Sequence, residues 1–185
     1  MKPKRHTLWI CVCCCVCLCL LASCGSKPLS HHFSFREKSF CTEVRGKLGG
    51  VDFCAKLSAA PIAQGHAVCV EFLPLPQAAI DSALVGLTVR ANCVRNARNE
   101  IVLRDAEVSY HGLRISASPD DSTIAGLLSP VTALLEGNEA RTVQKTDTGY
   151  RITLGDSCCL DLDANGIPRA AEAEGLQFEI LWWES

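Results

Sequence analysis

Thiols are the most reactive groups this 185-residue chain offers in number: it has thirteen cysteines, and their spacing limits what they can do. Six of them, Cys11, Cys13, Cys14, Cys15, Cys17 and Cys19, lie within the apolar run Leu8 to Leu20, where cysteine serves as a small hydrophobe. A metal-binding tract is the sharper reading of those six. The basic residues before the run and the small residues after it point instead to a leader that leaves with its cysteines. Cys24 follows directly. The remaining six, Cys41, Cys54, Cys69, Cys93, Cys158 and Cys159, lie in the body of the chain. An even count invites disulfides in an exported protein, but spacing alone selects none of the possible pairings. Zinc would need paired short spacings or a histidine at a finger-like interval, and neither is present. Cys158 and Cys159 are adjacent, and neighbours in a strand point to opposite faces, so a bond between them would require a strained turn.

Two other groups of residues could do chemistry. Asp161, Asp163, Asn165, Gly166 and Glu172 match the spacing of an EF-hand calcium loop. Their flanks alternate like strands, however, and Pro168 removes a backbone donor, so a β-turn is the simpler account of the same residues. Tyr110 and His111 read as strand-end residues, because no recognisable motif places a nucleophile beside them. His31 and His32 fall in a polar tether. No catalytic residue, metal site or cofactor is expected, and an enzyme is the least favoured class.

The leader carries basic Lys2, Lys4 and Arg5, then the apolar run, then Leu21-Ala22-Ser23 before Cys24 and Gly25. This is the layout of a secretory signal, with an apolar run too short to span a bilayer. The stretch Leu21 to Cys24 resembles the lipobox of bacterial lipoproteins. That resemblance implies removal of residues 1–23 and acylation of the Cys24 thiol, with a short tether at 24–32 and a single folded domain at 33–185. It also implies a cell-membrane location, lipid-anchored on the extracytoplasmic face. The processed chain would have 162 residues, with 15 basic against 20 acidic side chains and a net charge of −5. Such a balance argues against nucleic acid and against a polybasic membrane patch. The acyl chains, at about 0.8 kcal/mol per buried methylene, would be the anchor.

The body of the chain alternates with period two. From Phe40, one face carries Phe40, Thr42, Val44 and Leu48, then Val51, Phe53, Ala55 and Leu57. The other carries Cys41, Glu43, Arg45 and Lys47, then Asp52, Cys54 and Lys56. Gly49-Gly50 is a natural two-residue hairpin loop, since both positions tolerate positive φ. That register sets Glu43 opposite Lys56, Cys41 opposite Ser58 and Cys54 opposite Arg45. Further strands follow at His66 to Leu73, with Phe72 inward, at Gly86 to Arg95, with Cys93 inward, and through Ile101 to Ser118. Residues 77–84 give no decisive signal. Strands resume at Arg141 to Lys145, Tyr150 to Leu154 and Cys158 to Asp163. The last strand has Leu176, Phe178, Ile180 and Trp182 on one side.

One segment is helical by its period: Ile124, Leu127, Leu128, Val131, Leu134 and Leu135 make a single apolar stripe. Asp120 or Asp121 can cap its start and Gly137 is placed to end it. Pro130 lies inside, so either a kink or a second short helix beginning at Ser129-Pro130 is expected.

About nine antiparallel strands with one inserted apolar helix, behind a lipobox, resemble the LolA/LolB-like lipoprotein-carrier superfamily over residues 40–183. The most suggestive piece is Leu160-Asp161-Leu162-Asp163-Ala164-Asn165-Gly166-Ile167-Pro168 before the final strand. The resemblance implies an α+β, mainly antiparallel domain: a curved half-barrel sheet with a helical lid over a concave apolar side. A hydrophobic ligand, a lipid or acyl chain, would lie there against Val44, Phe53, Phe72, Leu128, Phe178 and Trp182. The alternative is a structural or assembly lipoprotein of the cell envelope that docks a protein partner and has a filled interior.

Overall fold

The computed structural model describes residues 29–75, 83–97, 100–118, 120–136, 140–155 and 158–185. Among these, eleven strands and one α-helix follow a 3₁₀ segment at Leu29–Glu37. The strands are β1 (Phe40–Leu48), β2 (Val51–Ile62), β3 (Gly65–Leu73), β4 (Leu87–Arg95), β5 (Ile101–Tyr110), β6 (Leu113–Ser116), β7 (Ala140–Lys145), β8 (Gly149–Leu154), β9 (Cys158–Asp163), β10 (Pro168–Ala173) and β11 (Leu176–Glu184). The helix α1 (Ser122–Leu135) lies between β6 and β7. All strands belong to one antiparallel sheet in the order β6-β5-β4-β3-β2-β1-β11-β10-β9-β8-β7. Consecutive strands are neighbours everywhere except β6 and β7, which form the two edges, and the first strand meets the last at the middle. The edge strands β6 and β7 do not pair with each other, so the sheet is open.

The first hairpin has the register its alternation predicts. Glu43 faces Lys56, Cys41 faces Ser58 and Arg45 faces Cys54. Gly49 and Gly50 turn it with φ of 58° and 83°, values that cost a residue with a Cβ. Cysteines 41 and 54 are thereby kept apart, and all six cysteines in the described body of the chain are free thiols. Cys158 points into the core and Cys159 away from it, as adjacent strand residues must.

Strand β10 is the element that patterning misses. Its sequence, Pro-Arg-Ala-Ala-Glu-Ala, is poor in β-branched and aromatic residues, yet it pairs with both β9 and β11. Its place between two strongly patterned strands overrides a weak local preference.

The helix is continuous through Pro130 rather than kinked into two. A proline removes the N–H that would bond the carbonyl four residues earlier, here that of Gly126. The Ser129 hydroxyl donates to that oxygen at 2.7 Å and supplies the missing donor. At the start, Asp121 is the cap and accepts from the Thr123 N–H at 2.8 Å. Gly137, the expected stop, lies outside the described residues. The observed end is held by two arginines. Arg36 donates from Nε to the Leu134 carbonyl and from Nη2 to the Glu136 carbonyl, each at 2.7 Å. Arg95 donates to the Leu135 carbonyl at 2.8 Å. Cationic donors at a helix C-terminus satisfy orphan carbonyls and oppose the negative end of its dipole.

Candidate functional site

The inner face of the sheet is built from rows of side chains that run across the strands. Phe72 is opposite Ala55, Ala55 opposite Val44, and Val44 opposite Ile180. In the next row Phe53 faces Gly46, which faces Phe178, then Ala171, Leu160, Ile152 and Val143 in turn. Gly46 is required in that row, because a Cβ there would lie 1.9 Å from the Gln177 carbonyl oxygen and 2.7 Å from the Phe178 Cβ. Helix α1 packs on this face and contributes Ile124, Leu128, Val131, Leu134 and Leu135 to the same core.

Five of the six residues expected to line a ligand surface are brought together here. Val44, Phe53, Phe72, Leu128 and Phe178 belong to one cluster and are sealed from solvent, none more than 2% exposed. Trp182 is a correction. It lies on the opposite face, 39% exposed, with its indole N–H donating to Glu43 at 3.2 Å. The cause is a β-bulge: Val44 pairs with Ile180 but Glu43 pairs with Trp182, so Leu181 is the extra residue and the alternation inverts after it. Trp183 takes the inward place, stacked on Phe40 at 4.6 Å and edge-on to Phe35 at 5.5 Å. Cys24, expected to carry the anchor, lies outside the described residues.

The inner face also extends past the helix. Leu87 pairs with Tyr110 and Tyr110 with Leu113, while Val89 pairs with Val108 and Val108 with Ile115. Val89 is buried, and toward the edge the same rows become open. Tyr110 is 43% exposed, Ile115 65% and Leu113 71%. The core thus runs without interruption into an uncovered apolar strip on β5 and β6. Patterning places these residues on strands but cannot say where helix cover stops.

The other chemical candidates are engaged in structure. In the Asp161–Glu172 stretch, the Asp163 carboxylate accepts from the backbone N–H groups of Asn165 and Ile167, at 2.9 and 3.0 Å, and from Arg169 at 2.8 Å. Asp161 forms a two-pronged pair with Arg151 at 2.8 and 3.0 Å. The loop is the turn of the β9–β10 hairpin. Partial burial raises the Asp163 carboxyl pKa, but its hydrogen bonds to Ile167, Arg169 and Asn165 outweigh that and hold it below the usual value. Burial pushes the Cys93 thiol up to about 12 and the Cys158 and Cys54 thiols up to about 11, which keeps them protonated and poorly nucleophilic. Tyr110 and His111 meet edge-on at the tip of the β5–β6 hairpin, with ring centroids 4.2 Å apart.

Comparison with family models, curated proteins and solved structures finds no match to this chain.

Proposed function

We propose that this is a lipid-anchored extracytoplasmic protein, held to the membrane through an acylated Cys24, that binds a hydrophobic ligand such as an acyl chain and has no catalytic role. The observation that carries the reading is the strip at Tyr110, Leu113 and Ile115, an apolar surface continuous with the core and open to a ligand. The one α-helix among the described residues, packed on one face of the antiparallel sheet, is the feature in keeping with a LolA/LolB-like carrier domain, while the sheet itself is open rather than curled into a half-barrel.

A second reading, docking of a protein partner along the same strip and the free β6 edge, is favoured by the sealed residues beneath the helix, which leave no open space around Val44, Phe53 or Leu128. One titration separates the two. A fluorescent fatty acid or lysolipid should bind the purified protein, and Ile115→Glu should weaken binding at least tenfold while the outward Lys56→Ala leaves it unchanged. Flat titrations for the wild type would favour the partner-docking reading. The anchor is tested separately: Cys24→Ser should abolish acylation and leave an unprocessed precursor by mass, and an unchanged mass and detergent partition would sink the assignment.

A further inference from the structure

The edge strand β6 presents a row of backbone groups whose directions can be worked out. The loop His111-Gly112 has positive φ at both positions, 47° and 85°, as in the tight two-residue turn that closes on a hydrogen-bonded pair, here Tyr110 and Leu113. Alternation along the ladder then turns the N–H and C=O of Leu113 and Ile115 toward β5, and those of Arg114 and Ser116 away from it. The Ala117 N–H, donating to the Ala106 carbonyl at 2.8 Å, keeps the same phase. Among the described residues, nothing pairs with that outer edge. Arg114 is its only charge, whereas the opposite edge β7 carries Arg141 and Lys145, cations of the kind that discourage strand addition.

We propose that β6 pairs with β6 of a second copy of this chain, antiparallel about a two-fold axis, with Ile115 opposite its own counterpart. This rests on the partner-docking reading of the free edge and names the partner. Pairing uses the backbone edge, so the inner face of the apolar strip stays open to a ligand.

Charge complementarity selects both the partner and the register. An axis at Arg114 would set two guanidiniums face to face, which is unfavourable. An axis at Ile115 sets Arg114 opposite Ser116 of the second copy, and Glu107 lies directly behind that serine. Arg114 is exposed and makes no ion pair among the described residues. Glu107 meets Arg90 at 3.8 Å, a long contact that leaves its carboxylate available. The short serine lets the guanidinium reach across two strand spacings, about 10 Å, to that carboxylate. By symmetry the contact forms twice.

The backbone and the inner face agree with this register. Arg114 and Ser116 both point their N–H and C=O outward, so each exchanges its pair of hydrogen bonds with the other's counterpart. Ile115 continues the inner row Leu57, Val70, Val89 and Val108, and that row would run into its own copy across the axis. Such a pairing is isologous and closes at two, whereas β6 against β7 of another copy would have no reason to stop. A strand of four residues buries less than the roughly 1,200 Å² typical of stable complexes, so the dimer is weak and depends on concentration.

Sedimentation velocity of the purified full chain should show a dimer fraction that grows as concentration rises through the micromolar range. Ser116→Pro removes an outward N–H where an edge strand tolerates proline. It should weaken the dimer at least tenfold and leave fatty-acid binding unchanged, because Tyr110, Leu113 and Ile115 stay in place. Under mild oxidation Ile115→Cys should cross-link to its own counterpart, since directly opposed residues have a spacing a disulfide can bridge. Leu113→Cys, which would lie opposite Ala117, should not; peptide mapping identifies the bond. If Ser116→Pro does not fold, Arg114→Glu takes its place and should also weaken the dimer at least tenfold. A dimer that these substitutions leave intact, or that Leu113→Cys cross-links as readily as Ile115→Cys, would overturn the proposal. So would a chain that stays monomeric at every concentration, a result that leaves the edge to a different protein and so does not remove the docking reading with it.

Discussion

Gly46 shows how a single missing Cβ sets a local structure. The inner row at Phe53 and Phe178 closes over it, and any side chain would meet backbone that cannot move independently. Gly46→Ala should therefore destabilise the protein by about 3 kcal/mol in urea unfolding, the upper range for overpacking a core. Asp163 makes a pH prediction. Its hydrogen bonds to Ile167, Arg169 and Asn165 hold its folded-state pKa below the usual carboxylate value, so its contribution is present above the unfolded-state value and fades as pH falls through the depressed folded-state value. Asp163→Asn should consequently be less stable than wild type at neutral pH, and the gap should narrow in unfolding curves taken below about pH 4. Residue types along the first hairpin were enough to read its faces and partners, because alternation and a Gly-Gly loop agree. They were not enough at the other end of the same row. Nothing in Leu-Trp-Trp marks Leu181 as the bulge, so Trp182 and Trp183 exchange the faces that simple alternation assigns them. Trp183 is left with a buried indole N–H that has no partner among the described residues, a penalty the stacking on Phe40 offsets.

At the scale of elements, the helix was legible and its fastenings were not. Its apolar stripe and the Asp121 cap follow from spacing. The arginines that finish it come from residues far away in sequence, Arg36 before β1 and Arg95 at the end of β4. Such partners become visible only when the topology is known. Arg36 is sandwiched as well as bonded, with its guanidinium 4.2 Å from the Phe33 ring centre. Arg36→Met keeps much of the packing and removes both hydrogen bonds to the helix. Stability should fall by about 3 kcal/mol, and hydrogen exchange should speed up selectively in the last turn of α1. Uniform acceleration across the sheet instead would mean that Arg36 does not act on the helix. Strand β10 marks the converse limit: its alanines carry little strand preference, and only the neighbours on either side make it one. The uncovered strip at β5 and β6 was out of reach for a similar reason, since exposure there depends on the reach of a helix packed elsewhere on the same face.

At the scale of the whole molecule, the sheet is two hairpin meanders, β1 to β6 and β7 to β11, joined along one seam where Cys41 faces Glu184 and Leu48 faces Leu176. Every other pairing is between strands adjacent in the chain. The seam alone joins the two ends of the sequence, and closing so long a loop is the costly step in chain entropy. Timing follows from this. While the polypeptide is being made, β1 has no partner on one side until β11 has emerged, and the core row through Gly46 and Phe178 cannot form. The sheet is thus incomplete until β11 has emerged, which leaves one edge of β1 open until then. A chain truncated before Leu176 should lose cooperative unfolding altogether. Adding the missing strand back as a separate peptide should restore it, because what the two halves lack is only their shared border.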